Sequence, residues 1–202
     1  MKPPLQFWFD FISPFGYFAS LRIDALAARH GRTAEWHPLL VGVTVLKVMG
    51  LKAIPQTPLK GPYAARQIAR YLRRHEITLG RDPNAAPMNP LPAGRCFAWL
   101  RAHTPAHAKA FAQAALHAHW VEGRAMDDTA ELRAVALAAG VPPDAVEHAL
   151  SDPEAALLLR AEVDAAVAQG VFGSPFVIVD GEPFFGVDSF ELIDDWLVVG
   201  GW

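Results

Sequence analysis

The apolar positions of the chain change their spacing twice. Residues 5–11, Leu5-Gln6-Phe7-Trp8-Phe9-Asp10-Phe11, form a bulky aromatic run with strand character. Ile12 and Ser13 end it, and Pro14 suits the first helical position, where its missing N–H costs nothing. Tyr17, Phe18, Leu21, Ile23 and Leu26 then predict one helix closed by Gly31. Residues 34–39, Ala-Glu-Trp-His-Pro-Leu, predict a second strand ending near His37-Pro38. Strand, helix and strand in this order predict a βαβ unit with a right-handed crossover. His37 has no partner nearby in the chain and reads as structural.

From residue 43 the pattern becomes irregular and then helical. Residues 43–50 are apolar around Lys47, and Pro55, Pro58 and Pro62 mark a loop. Residues 63–75 predict a helix, basic on one side through Arg66, Arg70, Arg73 and Arg74. That side is either a solvated face or a lure for an anionic substrate. Residues 82–92 are again loop-like. Helices are predicted over 93–103 and 105–121, then from Asp128, with Glu131 completing a capping box, to Gly140, and over 143–150 and 153–169. The stripe Leu157, Leu158, Ala161 and Ala165 reads as core packing. His117 and His119 fall on different faces of a helix, and Pro105 breaks the register of His103 and His107. Neither pair predicts a metal site.

The tail returns to strand spacing. Phe176-Val177-Ile178-Val179 is a strand, Asp180-Gly181 a hairpin turn, and Pro183-Phe184-Phe185 a returning edge strand. Asp188 or Ser189 starts a last helix through Leu192, Ile193, Trp196 and Leu197, with Glu191 available for a capping box. A lone hairpin has too few partners, so it is expected to join the N-terminal strands. The expected fold class is therefore α/β: a thioredoxin-like domain of residues 1–42 and 171–202, with an all-helical domain, 43–170, inserted in it.

Composition narrows the function classes. The 202 residues are 52% hydrophobic with a formal net charge of −3. No basic stripe points to nucleic acid, and no polybasic segment points to a membrane surface. The longest apolar runs are too short to span a bilayer, and the first residues lack the pattern of a signal peptide. Cys96 is the only cysteine, so an intrachain disulfide is impossible. A cytoplasmic location is the expectation.

Ser13 stands at the junction of a buried strand and a helix N-terminus. Free backbone N–H groups converge there, as they do where anions bind or a thiolate is stabilised. Ser-Pro at a helix start is also ordinary capping chemistry, and on these residues alone capping is the simpler account.

The segments Phe9-Asp10-Phe11-Ile12-Ser13-Pro14-Phe15-Gly16-Tyr17, Gly173-Ser174-Pro175 and Phe185-Gly186-Val187-Asp188 are together more specific than any one alone. Jointly they resemble the 2-hydroxychromene-2-carboxylate isomerases, which belong with kappa-class glutathione transferases in the DsbA-like branch of the thioredoxin superfamily. The resemblance spans nearly the whole chain.

That resemblance implies a glutathione cofactor. Redox members carry Cys-x-x-Cys where this chain has Ser13-Pro14-Phe15-Gly16, so the reactive thiol has to come from the ligand. Ser13 is then the catalytic residue, donating a hydrogen bond that favours the thiolate of glutathione. Ser174-Pro175 matches the family's cis-proline site, whose backbone would pair with the cysteinyl unit. Asp188 would hold the γ-glutamyl ammonium, and backbone N–H groups including that of Ser189 its carboxylate. Phe185, Gly186 and Val187 complete that wall, with Phe185 where Trp is usual and Ser189 where Arg is usual. Lys47 matches a lysine of the substrate pocket, although Leu51 replaces the Asn that often follows its neighbouring glycine. Lys60, Tyr63 and Asn89 match positions near the cleft, and each reads equally as an exposed loop or helix-start residue.

The implied reaction converts 2-hydroxychromene-2-carboxylate to trans-o-hydroxybenzylidenepyruvate in aromatic hydrocarbon catabolism. The thiol adds, the ring opens, a bond rotates and elimination returns glutathione. Two alternatives remain open at this point: a kappa-class-like transferase or peroxidase that consumes glutathione on another electrophile, and a non-catalytic glutathione- or peptide-binding module. The resemblance also implies a homodimer acting on a small aromatic carboxylate.

Overall fold

A computed structural model describes residues 2–202. Four strands form one mixed sheet in the order β2-β1-β3-β4: β1 is Leu5–Phe9, β2 Ala34–Pro38, β3 Phe176–Val179 and β4 Glu182–Phe185. β1 runs parallel to β2 and antiparallel to β3, with Phe7 opposite both Trp36 and Val177. The C-terminal hairpin therefore joins the N-terminal strand as expected. Asp180 (φ +54°) and Gly181 (φ +91°) make its turn, and β4 is the edge. Arg32, nearly buried, clamps the turn by two hydrogen bonds to the Asp180 carboxylate and one to the Pro3 carbonyl.

Residues alternate across the sheet and divide the aromatic run of β1 between two cores. Phe7, Phe9, Trp36, Val177 and Val179 face the larger core. It is shared with the helices α1 (Pro14–Ser20), α2 (Ile23–Arg29), α4 (Leu91–His103), α5 (Pro105–Trp120) and α9 (Phe190–Val199). Trp8, Phe176 and Ile178 face the other way, against Ala166 of α8 (Glu154–Ala168). Between these lie α3 (Lys60–His75), α6 (Thr129–Ala138) and α7 (Pro143–Ser151). The larger core runs without a break from the strands into α4, α5 and α6.

Four expectations need correction. The first helix is two, because the chain breaks at Leu21-Arg22, where Leu21 is half exposed and Arg22 provides no side-chain cap. Gly31 (φ +66°) does follow the second piece. On α8 the buried stripe is Ala155, Leu159, Val163 and Ala166, while Leu157, Ala161 and Ala165 are exposed. Leu159 packs over Gly94 of α4, where an added Cβ would stand only 3.2 Å from its methyl, and this close fit accompanies the rotation. Asp128 caps α6 through Ala130 and Glu131 N–H, but Glu131 turns to Arg124 rather than closing a capping box. His37 does have a partner: it stacks on Trp8 at 4.3 Å and its Nδ1 lies 3.1 Å from Glu162 of α8.

Residues Gly42–Val48 form a wide π-type helix, followed by a short 3-10 turn at Ile54–Gln56. Leu46, Val48, Met49, Leu51, Ile54 and Leu59 of this arm are exposed. Among the described residues, no helix is long and apolar enough to cross a membrane.

Candidate active site

The site lies where β1 ends. β1 stops at Phe9, two residues earlier than expected, because Asp10 turns its side chain back into the protein. Asp10 is fully buried: Oδ1 accepts from Ile12 N–H at 3.2 Å and Oδ2 from Val41 N–H at 2.8 Å. Its own N–H donates to Ser174 Oγ at 2.9 Å. Burial pushes its carboxyl up to about 6, against the pull of the Val41 and Ile12 N–H groups. The helical block supports the same turn, since Trp120 of α5 donates from Nε1 to Phe11 O at 3.1 Å.

Ser13 is the N-cap of α1, as its capping reading requires: Oγ accepts from Gly16 N–H at 3.0 Å. The hydroxyl has a second contact, donating to Ser174 O at 3.0 Å. Ser174-Pro175 is cis. Ser13, Ser174 and Pro175 are therefore brought together, and Gly186 N–H joins them by donating to Pro175 O at 3.0 Å. Gly16 makes the approach possible, because a Cβ there would stand 2.6 Å from Ser174 Oγ. Gly173 does the same for Phe185, whose ring edge lies 2.6 Å from the place of a Cβ. Phe185 also packs on Phe172 at 4.7 Å, and both rings are partly exposed beside this loop.

Asp188 is not a capping-box residue. Its Oδ2 accepts from Gln67 Nε2 of α3 at 2.6 Å, and α9 begins at Phe190 after a 3-10 turn, Val187–Ser189. Ser189 folds back on that turn, with both N–H (3.3 Å) and Oγ (2.6 Å) donating to Gly186 O. Its N–H is thus engaged within the protein.

Lys60, Tyr63 and Gln67 follow at i, i+3 and i+7 on α3 and share a face, so Lys60 and Tyr63 lie along the helix from the Asp188 contact. Arg70 sits over the Tyr63 ring at 5.8 Å. Lys47 is exposed on the π-helical arm, and neither it nor Lys60 makes an ion pair among the described residues. Asn89 belongs to the start of α4: its Oδ1 accepts from Leu91 N–H, and its N–H donates to Asp127. Cys96 is buried with its thiol pushed up to about 12 by desolvation, so it supplies no thiolate.

A cavity of about 320 Å3 lies elsewhere, over Trp8 and His37 between α4 and α8. None of the sequence-predicted site residues lines it. On its lining, Arg101 pairs with Glu35 and Glu162, and Glu162 with His37 Nδ1.

Two residues of the site were missed in the sequence. Asp10 had a signal, a lone carboxylate inside an aromatic run. Gln67 had none, since its contact spans 121 residues.

A family model described as a DSBA-like thioredoxin domain matches residues 4–198. A protein named 2-hydroxychromene-2-carboxylate isomerase, from Sphingobium xenophagum, is 29% identical over 98% of this chain and 100% of its own length. A second of that name, from Pseudomonas putida, is 25% identical over 94% of this chain and 92% of its own. The solved structure of a selenomethionine 2-hydroxychromene-2-carboxylate isomerase superposes with a TM-score of 0.78 at 26% identity, covering 97% of this chain and 94% of that one.

Proposed function

The chain belongs to the DSBA-like thioredoxin-domain family, and on that premise we propose that it is a glutathione-dependent isomerase of 2-hydroxychromene-2-carboxylate. Two relatives, similar over 98% and 94% of the chain, carry the name of that isomerase. The observation that carries the proposal is Ser13: a hydroxyl, where a dithiol would serve exchange chemistry, held at a helix start against the Ser174 backbone.

The residues present fit the tripeptide. Ser13 offers a proton that now rests on the Ser174 carbonyl and can turn to a sulfur anion. Ser174 offers the backbone that precedes the cis Pro175, and Asp188 an exposed carboxylate suited to an ammonium group. Bound glutathione would supply a thiolate that adds reversibly to the conjugated substrate and is regenerated. The work of the protein is to favour the anion and to aim it. α1 spans only seven residues, so its dipole contributes little and the Ser13 hydroxyl bears most of the stabilisation. The cations Lys47 and Lys60 are proposed to attract the carboxylate of the substrate. Assembly as a homodimer belongs to the same proposal and is checked by sedimentation.

The test is incubation with the chromene carboxylate with and without glutathione, following product and total thiol. Isomerisation that needs glutathione and leaves it undiminished is expected. Stoichiometric loss of thiol would instead favour a transferase, and binding without turnover a non-catalytic module.

A further inference from the structure

Three chain segments meet at the site, and one residue touches all of them. The turn before α1 carries Ser13, the segment after β2 leads through Val41 to Lys47, and the loop before β3 carries Ser174. Asp10 accepts from the first at Ile12 N–H, accepts from the second at Val41 N–H, and donates to the third at Ser174 Oγ. Its carbonyl also accepts from Ser13 N–H at 3.0 Å. The remaining hydroxyl bond, Ser13 Oγ to Ser174 O, closes a ring of contacts joining Asp10, Ser13 and Ser174.

We propose that Asp10 is the positioning residue of this site, its carboxylate setting Ser13 and the Lys47 arm against the Ser174 loop. This rests on the glutathione-isomerase reading for its effect on turnover, but not for the geometry.

A buried carboxylate is a poor choice for packing alone. Two amide donors need two acceptor oxygens, and only the ionised form presents both without a proton. The amide of Asn has one acceptor and would face the second N–H with its own NH2. Ionisation is costly here, since burial is the largest influence on Asp10 and no charged side chain contributes. The segments packed against it present Ile12, Val41 and Ser174, none of them titratable. Protonation near pH 6 weakens one of the two amide bonds and so loosens either the Ser13 turn or the Lys47 arm. Asp10 reaches neither thiol nor substrate in this role and acts through its neighbours.

The experiment is an amide NMR titration of the full-length protein between about pH 4.5 and 8, with turnover measured across the same range. Ile12 and Val41 amides are expected to titrate together, with Ser13 and Ser174 amides moving at the same midpoint. Asp10→Asn should abolish all four transitions. Its kcat should fall about tenfold or more at pH 7.5, with the KM for glutathione moving less, and the acid limb of the profile should flatten. Amides that do not titrate, or a response confined to Ile12 and Val41, would overturn the proposal, and so would wild-type turnover in Asp10→Asn. If the variant does not fold, the wild-type titration decides alone. If glutathione supports no turnover, the function falls, and the four amides still decide whether Asp10 positions Ser13.

Discussion

The hydroxyl of Ser13 donates to the carbonyl of Ser174, 161 residues away, at 3.0 Å, while accepting from Gly16 N–H. One oxygen thus serves as helix cap and as the tie between the two ends of the chain. Ser13→Ala should cost about 1 kcal/mol of stability through the cap. As the proposed thiol activator it should also lose about one to two decades of turnover per folded molecule. The check is denaturant unfolding beside an ultraviolet titration of bound glutathione, whose thiol pKa should rise in the variant.

Gly16 has no room for a side chain while Ser174 keeps its hydroxyl. Gly16→Ala should therefore destabilise by about 1–3 kcal/mol despite the better helix propensity of Ala. In a Ser174→Ala background the penalty should shrink without vanishing, because Asp10 O and Ser13 Cβ would each still stand 3.2 Å from the added carbon. A double-mutant cycle measures the coupling, and additive effects would count against the close approach.

Asp188 is exposed and bound to Gln67. Asp188→Asn should weaken the proposed binding of glutathione by roughly tenfold or more, with most of the salt dependence lost, since an ion pair in solvent is screened. Gln67→Ala should have a smaller effect, about 1 kcal/mol or less, because its bond is exposed. Calorimetry at two ionic strengths separates the two.

Two buried groups oppose each other in acid. The raised Asp10 carboxyl favours the folded state below about pH 4, and that contribution is lost as pH rises through about 6. His119 is held neutral, its value lowered by burial to about 4, with Nδ1 near Arg124 O. Its contribution is present above about 6.5 and is lost as pH falls towards 4. Each is worth about 3 kcal/mol at about 1.4 kcal/mol per unit, so they nearly cancel. Asp10→Asn should unmask acid destabilisation, and His119→Gln should unmask loss of stability on the alkaline side. Unfolding curves from pH 4 to 7.5 check both.

The elements written locally in the sequence were legible in it. The Asp180-Gly181 turn, the cap at Asp128 and the Gly31 terminus depend on neighbours within a few residues. The break at Leu21-Arg22 was not legible, because the apolar spacing continues through it. On α8 the many alanines give two stripes of similar character, and the close fit of Leu159 over Gly94 on another helix accompanies the buried one. Ser13 and Ser174 were found through motifs. Asp10 showed only as a lone carboxylate in an aromatic run, and its role stayed out of sight because its partners, the Ile12 and Val41 N–H groups and the Ser174 hydroxyl, are backbone or distant groups.

The pairing of β1 with β3 has a further consequence for the making of the protein. During synthesis β1 waits for a partner about 170 residues further along the chain. Until then it has β2 on one edge only, and its other edge stays open beside a surface of Phe7, Trp8 and Phe9. Such long-range closure is slow and leaves an aggregation-prone interval. A nascent chain can hold Ser13 against Ser174 only after Ser174 and β3 have emerged, so whatever chemistry this site performs waits on that distant stretch.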